Sequence, residues 1–261
     1  MSGDLAEDFR HRPGVAVVAG ASGGIGGAVA SLLARRGSDL AITYRSNARA
    51  AADVVADAQE SGRRAAAWRL DLADDAAVAA FLHEVAAAYG GIHTIVYAAG
   101  PHVPMRHLSG VSPAEFRRQI EGDAVAFFNL VQPALPRLRA TRGSVVAVTT
   151  AATRRFPVRD GLSAGPKGAV EALVRGLAAE EGRFGVRANC VGPGMLTGGM
   201  AARLIESGEL GERALEVTRA NIPLRRFGST MDVAEAVCFL ASDRAGFISG
   251  QALDVDGGYG A

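Results

Sequence analysis

Seven short apolar runs punctuate this chain, at Val15–Ala19, Leu40–Tyr44, Ala65–Leu70, Ile92–Tyr97, Ser144–Thr149, Val186–Val191 and Ala252–Val255. Between them, apolar residues recur at helical spacing near 24–36, 48–61, 75–89, 113–140, 166–184 and 231–241. Runs this short, without polar alternation, mark strands buried on both faces. Strands alternating with helices of crossover length predict βαβ units and an α/β fold: three layers, with a doubly wound, seven-stranded parallel sheet in the middle. Some helix starts carry their own chemistry. Ser112-Pro113-Ala114-Glu115 combines an N-cap, a proline at the first helical position and a first-turn carboxylate, and Asp74 stands as a cap before 75–89. No linker divides the chain, which predicts one domain over 15–261 behind an N-terminal arm at 1–14. The stretch 195–223 breaks the alternation with Gly198-Gly199, Gly208 and Gly211, and reads either as a substrate lid or as a mobile loop.

Composition narrows the classes of function. The 261 residues are 49% hydrophobic and only 6% aromatic, which suits slim helices packed closely on a parallel sheet. A formal net charge of +1 gives no reason to expect nucleic acid or a membrane surface as partner. No segment approaches the roughly 18 apolar residues of a membrane span, and the mixed-charge start is unlike a signal peptide. Cys190 and Cys238 lie in apolar contexts and are expected to be reduced, buried thiols of a cytoplasmic protein.

The first run opens into Gly20-Ala21-Ser22-Gly23-Gly24-Ile25-Gly26 and then a helix. Strand, glycine turn and helix in that order make the phosphate-binding start of a Rossmann-type unit. Gly20 permits the tight turn, Gly24 lets the backbone approach a pyrophosphate, and Gly26 lets helix and strand pack closely. The helix start presents unpaired N–H groups and the positive end of its dipole. The second strand ends in Tyr44-Arg45-Ser46-Asn47, where an NAD-selective site would place an acid. An arginine with hydroxyl neighbours suits a 2′-phosphate instead, so NADP(H) is expected ahead of NAD(H). Asp71-Leu72, ending the third strand, is placed to meet adenine, and Ala98-Ala99-Gly100 after the fourth lets a flat ring pass close to backbone.

From Val15 to Tyr259 the chain resembles the short-chain dehydrogenase/reductase family. The likeness rests on the glycine turn, Asp71, Ala98-Ala99-Gly100, Val191-Gly192-Pro193-Gly194, and the closing Ser249-Gly250-Gln251 and Asp254-Val255-Asp256-Gly257-Gly258. The resemblance implies a nicotinamide cofactor touched also by Pro193 and Gly194, and a homotetramer built partly from the helices near 113–140 and 166–184. It further implies a catalytic set of tyrosine four residues before lysine, a serine after strand five, and an asparagine in the preceding long helix. The lysine position is Lys167, the tyrosine position Ser163, the serine position Thr150 and the asparagine position Asp123. In that scheme Lys167 holds the nicotinamide ribose and Thr150 hydrogen-bonds the substrate oxygen. Pro166 places the start of this helix at the proline.

Serine for tyrosine is the consequential change. A phenol, with a reference pKa near 10, is tuned to neutrality by a nearby cation, whereas an aliphatic hydroxyl is a far weaker acid. Ser163 relays or orients a proton better than it supplies one. The 2,4-dienoyl- and enoyl-CoA reductases are similar in carrying Ser-x-x-x-Lys, but the tyrosine they use shortly after strand five corresponds here to Ala152. Other donors to weigh are His102 and His107 in the loop after strand four, and Tyr97, whose place at a strand end favours a structural role. Arg154, Arg155 and Arg159 form either a solvated basic loop or a clamp for an anionic substrate such as a CoA or carrier-protein thioester. The readings left are an NADP(H)-dependent reductase of a 3-oxoacyl-type carbonyl, an enoyl- or dienoyl-thioester reductase, a redox-inactive cofactor-binding homologue, and a non-redox enzyme on the same fold.

Overall fold

The structure is a computed structural model that describes residues 7–198 and 212–261. Its strands are β1 (Val15–Ala19), β2 (Leu40–Tyr44), β3 (Ala65–Arg69), β4 (Ile92–Tyr97), β5 (Ser144–Val148), β6 (Arg187–Pro193) and β7 (Ala252–Val255). They form one seven-stranded sheet in the order β3-β2-β1-β4-β5-β6-β7, parallel throughout. The order turns at β1, which pairs with β2 on one side and β4 on the other, so the crossovers wind in both directions and open a crevice at the carboxyl ends. The predicted fold class is the observed one.

Alternation along β1 feeds two cores. Val15, Val17 and Ala19 point into one cluster with Phe81, Leu82, Phe127, Leu130, Val170 and Val174. Ala16 and Val18 point the other way, toward Val29, Leu33, Ala51, Val233 and Val237. The first cluster brings in helices α3 (Asp75–Tyr89), α5 (Ala126–Val131) and α7 (Gly161–Glu181); the second brings in α1 (Gly24–Arg35), α2 (Ala48–Glu60) and α9 (Thr230–Ala241). Asp74 caps α3 through Ala77 N. Ser112 and Glu115 form a reciprocal capping box at α4 (Pro113–Ile120).

Three local predictions are corrected. The long helix is segmented: α4 passes into a π segment, Glu121–Val125, then α5, a 3-10 turn at Gln132–Ala134, and α6 (Leu135–Thr141). Pro133 and Pro136 each open a new segment, as a residue without an N–H donor does. Helix α7 begins at Gly161 rather than at Pro166, which lies inside the helix and leaves Leu162 O without its usual donor. Strand β6 starts one residue later than expected and runs on to Pro193, because Gly192 and Pro193 pair with Asp254 and Val255 of β7. Of the stretch 195–223, the described parts include a bridge from Leu196 to Gly228 and α8 (Glu212–Asn221); residues 199–211, central to the lid reading, lie outside the described residues.

The described part of the arm docks on the amino edge of the sheet. Phe9 is 1% exposed and stacks on His93, whose burial pushes its pKa down to about 3. Arg12 donates to Ala241 O and pairs with Asp243. Cys190 and Cys238 are buried free thiols, their pKa values pushed up to about 12 by desolvation. Phe9→Ala is expected to lower the unfolding free energy by about 3 kcal/mol in urea titrations, because it removes a fully buried ring stacked on His93.

Candidate functional site

A cavity of about 260 Å³ opens at the carboxyl ends of β1 to β4, where the sheet order turns. Its walls hold eleven of the residues singled out from the sequence. Gly20, Ser22 and Gly23 come from the first turn; Tyr44, Arg45 and Ser46 from the end of β2; Asp71 and Leu72 from beyond β3; Ala98, Ala99 and Gly100 from beyond β4. Gly24, Ile25 and Gly26 lie just behind, in the first turn of α1.

Backbone geometry dictates the glycines. Gly20 has φ +83°, and a Cβ there would fall 2.7 Å from Ala98 O. A Cβ on Gly26 would fall 2.4 Å from Gly20 O, so helix and turn touch through bare backbone. Gly23 caps α1 without a side chain, and the first turn carries no acidic residue. Among the described residues the N–H groups of Gly24, Ile25 and Gly26 have no acceptor. Unpaired donors at a positive dipole end, opening on a cavity, fit a phosphate-bearing dinucleotide.

At the β2 rim, Arg45 keeps its guanidinium uncommitted among the described residues, while its carbonyl accepts from Arg69 Nε at 3.3 Å. Arg69 is the parallel partner of Tyr44 and adds a second guanidinium beside Arg45. Sequence reading missed it, because only strand register brings it there. Asn47, the last residue of the Tyr44–Asn47 stretch, also lines the cavity and caps α2 through Ala50 N, a helix-start role its type could have signalled. The Asp71 carboxylate accepts from Ala73 N at 3.0 Å and shapes the turn beneath the cavity.

The four positions implied for catalysis sit along the adjoining edge. Thr150 follows β5 and accepts from Ala152 N at 3.2 Å, which leaves its own proton free to donate. Ser163 is half-buried in the first turn of α7. Lys167, one turn on, donates to Ala99 O at 3.3 Å and to Asp123 Oδ1 at 2.9 Å. Asp123 belongs to the π segment, whose extra residue turns this carboxylate inward to 4% exposure. Tyr97 donates to Asp123 O at 2.9 Å and Oδ1 at 3.2 Å, and the Lys167 ammonium lies 5.2 Å from the Tyr97 ring centre. Burial and the Asp123 carboxylate hold the Tyr97 phenol well above its ordinary range, which makes it a structural donor rather than an acid.

The remaining residues are placed elsewhere. Arg154 pairs with Asp254 at 2.6 Å, and Arg155 donates to Tyr259 O at 2.7 Å while stacking on the Tyr259 ring. Both therefore brace the C-terminal segment and do not stand open as a clamp. His102 is exposed, its carbonyl accepting from Gln119, and His107 is exposed beside Arg159. Pro193 ends β6 and Gly194 follows it, both outside the cavity; a Cβ on Gly194 would fall 2.7 Å from Asp256. No candidate metal cluster occurs among the described residues, and no described helix is long and apolar enough to cross a membrane.

Known proteins share this chain's sequence and fold. A family model described as enoyl-(acyl carrier protein) reductase matches residues 20–260. A cis-4-hydroxycyclohexanecarboxylate dehydrogenase of Sinomonas cyclohexanicum is 35% identical over 98% of this chain and 99% of its own. A 3-oxoacyl-(acyl-carrier-protein) reductase of Staphylococcus aureus is 32% identical over 93% and 96%. The crystal structure of a short-chain dehydrogenase from Burkholderia cenocepacia in complex with NADP superposes with a TM-score of 0.87 at 31% identity, covering 99% of this chain and all of that one. The chain belongs to the short-chain dehydrogenase/reductase superfamily and is an oxidoreductase of that type.

Removing one partner of the Lys167–Asp123 pair leaves a charge stranded among apolar side chains. Asp123→Ala is expected to cost roughly 3 kcal/mol of stability in chemical denaturation, well beyond an exposed pair.

Proposed function

We propose that this chain is an NADP(H)-dependent reductase that adds hydride to the carbonyl of a 3-oxoacyl-type substrate. The observation that carries the reading is Lys167, tied to Ala99 O at the lip of the cavity that the glycine turn and Arg45 also line. The nicotinamide cofactor supplies the hydride. Gly20, Ser22, Gly23 and the α1 amides hold its pyrophosphate; Tyr44, Arg45 and Ser46 take the 2′-phosphate; Asp71 and Leu72 face the adenine. Lys167 binds the ribose hydroxyls, with Asp123 orienting its ammonium, and Thr150 donates to the substrate oxygen. The relative solved with NADP supports the same preference.

Enoyl reduction is the second reading, favoured by Ser163 and by the description of the matching family model. Hydride addition to a conjugated double bond yields an enolate, whose protonation tolerates a looser donor than an alkoxide does. A thioester carried by CoA or by an acyl carrier protein suits either reaction. Phe116, Val125 and Phe128 are 42%, 43% and 49% exposed on the helical stretch beside α7, an apolar face that we assign to contacts within a homotetramer.

Two measurements test these assignments. By fluorescence titration, Arg45→Ala should weaken NADPH binding roughly 10- to 100-fold while leaving NADH binding nearly unchanged; a wild-type preference for NADH overturns the 2′-phosphate site. Oxidation of NADPH with acetoacetyl, crotonyl and dienoyl thioesters separates ketone from enoyl reduction. Ser163→Tyr should then create or strongly raise ketone reduction, and silence of both proteins on the whole panel overturns the reductase reading.

A further inference from the structure

Strand β3 ends in an arginine that has no counter-charge. Arg69 is exposed at the last position of this edge strand. Edge strands often carry charges that discourage pairing with another chain, and such charges point into solvent. Arg69 turns back to the sheet instead, and its Nε donates to Arg45 O at 3.3 Å. Among the described residues neither Arg69 nor Arg45 has a carboxylate partner, whereas Arg64, just before the same strand, is paired with Asp39 at 2.7 Å.

Register explains the meeting. Tyr44 and Arg69 are parallel partners, and partners in a sheet share a face. Trp68 packs on the core cluster of α3 and α5, and Tyr44 on that of α1 and α2. Alternation therefore sets Arg69 on the α2 side, with Tyr44. Beyond Tyr44 the chain runs through Arg45 and Ser46, which line the cavity, into α2. That helix has a neutral cap, Asn47, and no acidic residue in its first turn, so the positive end of its dipole stands at the same rim. The one carboxylate on this wall, Asp71, is turned to Ala73 N at 3.0 Å. Two guanidiniums and a helix start thus meet at the edge of the cavity.

Taking the chain as the NADP(H) enzyme argued above, we propose that Arg69 is a second specificity-determining residue of its 2′-phosphate site, acting with and through Arg45. A phosphate monoester carries about −1.5 to −2 charges at neutral pH, more than one guanidinium balances. Arg69 meets this in two ways. Its Nε holds the Arg45 carbonyl and so fixes the peptide from which Arg45 and Ser46 meet the cavity. Its own charge adds to the attraction, and its terminal nitrogens, uncommitted among the described residues, remain as donors for phosphate oxygens. NADH lacks the 2′-phosphate and gains from neither effect.

The test is fluorescence titration of wild type, Arg45→Ala, Arg69→Ala, Arg69→Lys and Arg64→Ala with NADPH and with NADH. Arg69→Ala should weaken NADPH binding roughly 10-fold and leave NADH binding unchanged. Arg69→Lys keeps the charge but loses the planar donor to Arg45 O, and should recover part of the loss. Arg64→Ala removes an equal charge from the same edge and should bind NADPH as wild type does. The double variant Arg45→Ala/Arg69→Ala should lose less than the two single losses combined, because Arg69 acts partly through Arg45. Both cofactors are read on the same preparation, so a variant that is partly unfolded moves both affinities alike and leaves their ratio intact. Suppose Arg45→Ala loses NADPH selectively while Arg69→Ala keeps the wild-type ratio, or Arg64→Ala changes it as much as Arg69→Ala does. Either result overturns the role of Arg69 alone. A wild type that prefers NADH overturns the 2′-phosphate site, and this assignment with it.

Discussion

The carboxyl edge of the sheet is organised around one close approach, the turn at Gly20 lying against Ala98 and Ala99 at the end of β4. β1 and β4 are hydrogen-bonded neighbours with Ala19 opposite Tyr97, so their continuations leave the sheet side by side. A Cβ on Gly20 would fall 2.8 Å from the Ala99 backbone, and only glycine lets the chain turn there with φ +83°. With that contact made, α1 starts at the mouth of the cavity and presents free amides to it. Any bulk at Gly20 or Gly26 would push helix and strand apart and carry those amides away.

The second organising feature is the Tyr97–Asp123–Lys167 cluster, which joins the end of β4, the π segment and α7. A lysine at this depth needs a counter-charge, because desolvation is otherwise costly. Asp123 supplies it at 2.9 Å and is itself held by the Tyr97 hydroxyl. Gly100 leaves room for the pair: a Cβ there would stand 3.6 Å from the Lys167 ammonium. The price of this arrangement is that Lys167 shares its charge with a carboxylate. A neighbouring acid gains less from it than from a lysine without a counter-ion, which suits a site where Ser163 replaces a phenol.

Family membership alone does not fix the roles of individual side chains. Relatives that include a dehydrogenase and a 3-oxoacyl reductase match 98% and 93% of the chain. Arg154 and Arg155, free to look like an anion clamp on paper, spend their charge on Asp254 and the C-terminal Tyr259.

What the sequence by itself determined was the alternation of buried strands with crossover helices, the glycine turn, and the identities Ser163, Lys167, Thr150 and Asp123. The first two follow from local spacing and side-chain type, and the four residues from the family resemblance laid along the chain; neither needs knowledge of contacts. Tertiary structure decided the rest. Strand register set Arg69 beside Arg45, and the π segment turned Asp123 from the helix surface toward Lys167. The docking of the β4 loop on α7 carried the helix start back to Gly161, a full turn before the proline that local rules favour. These are consequences of which distant backbones meet, and no window along the chain contains them.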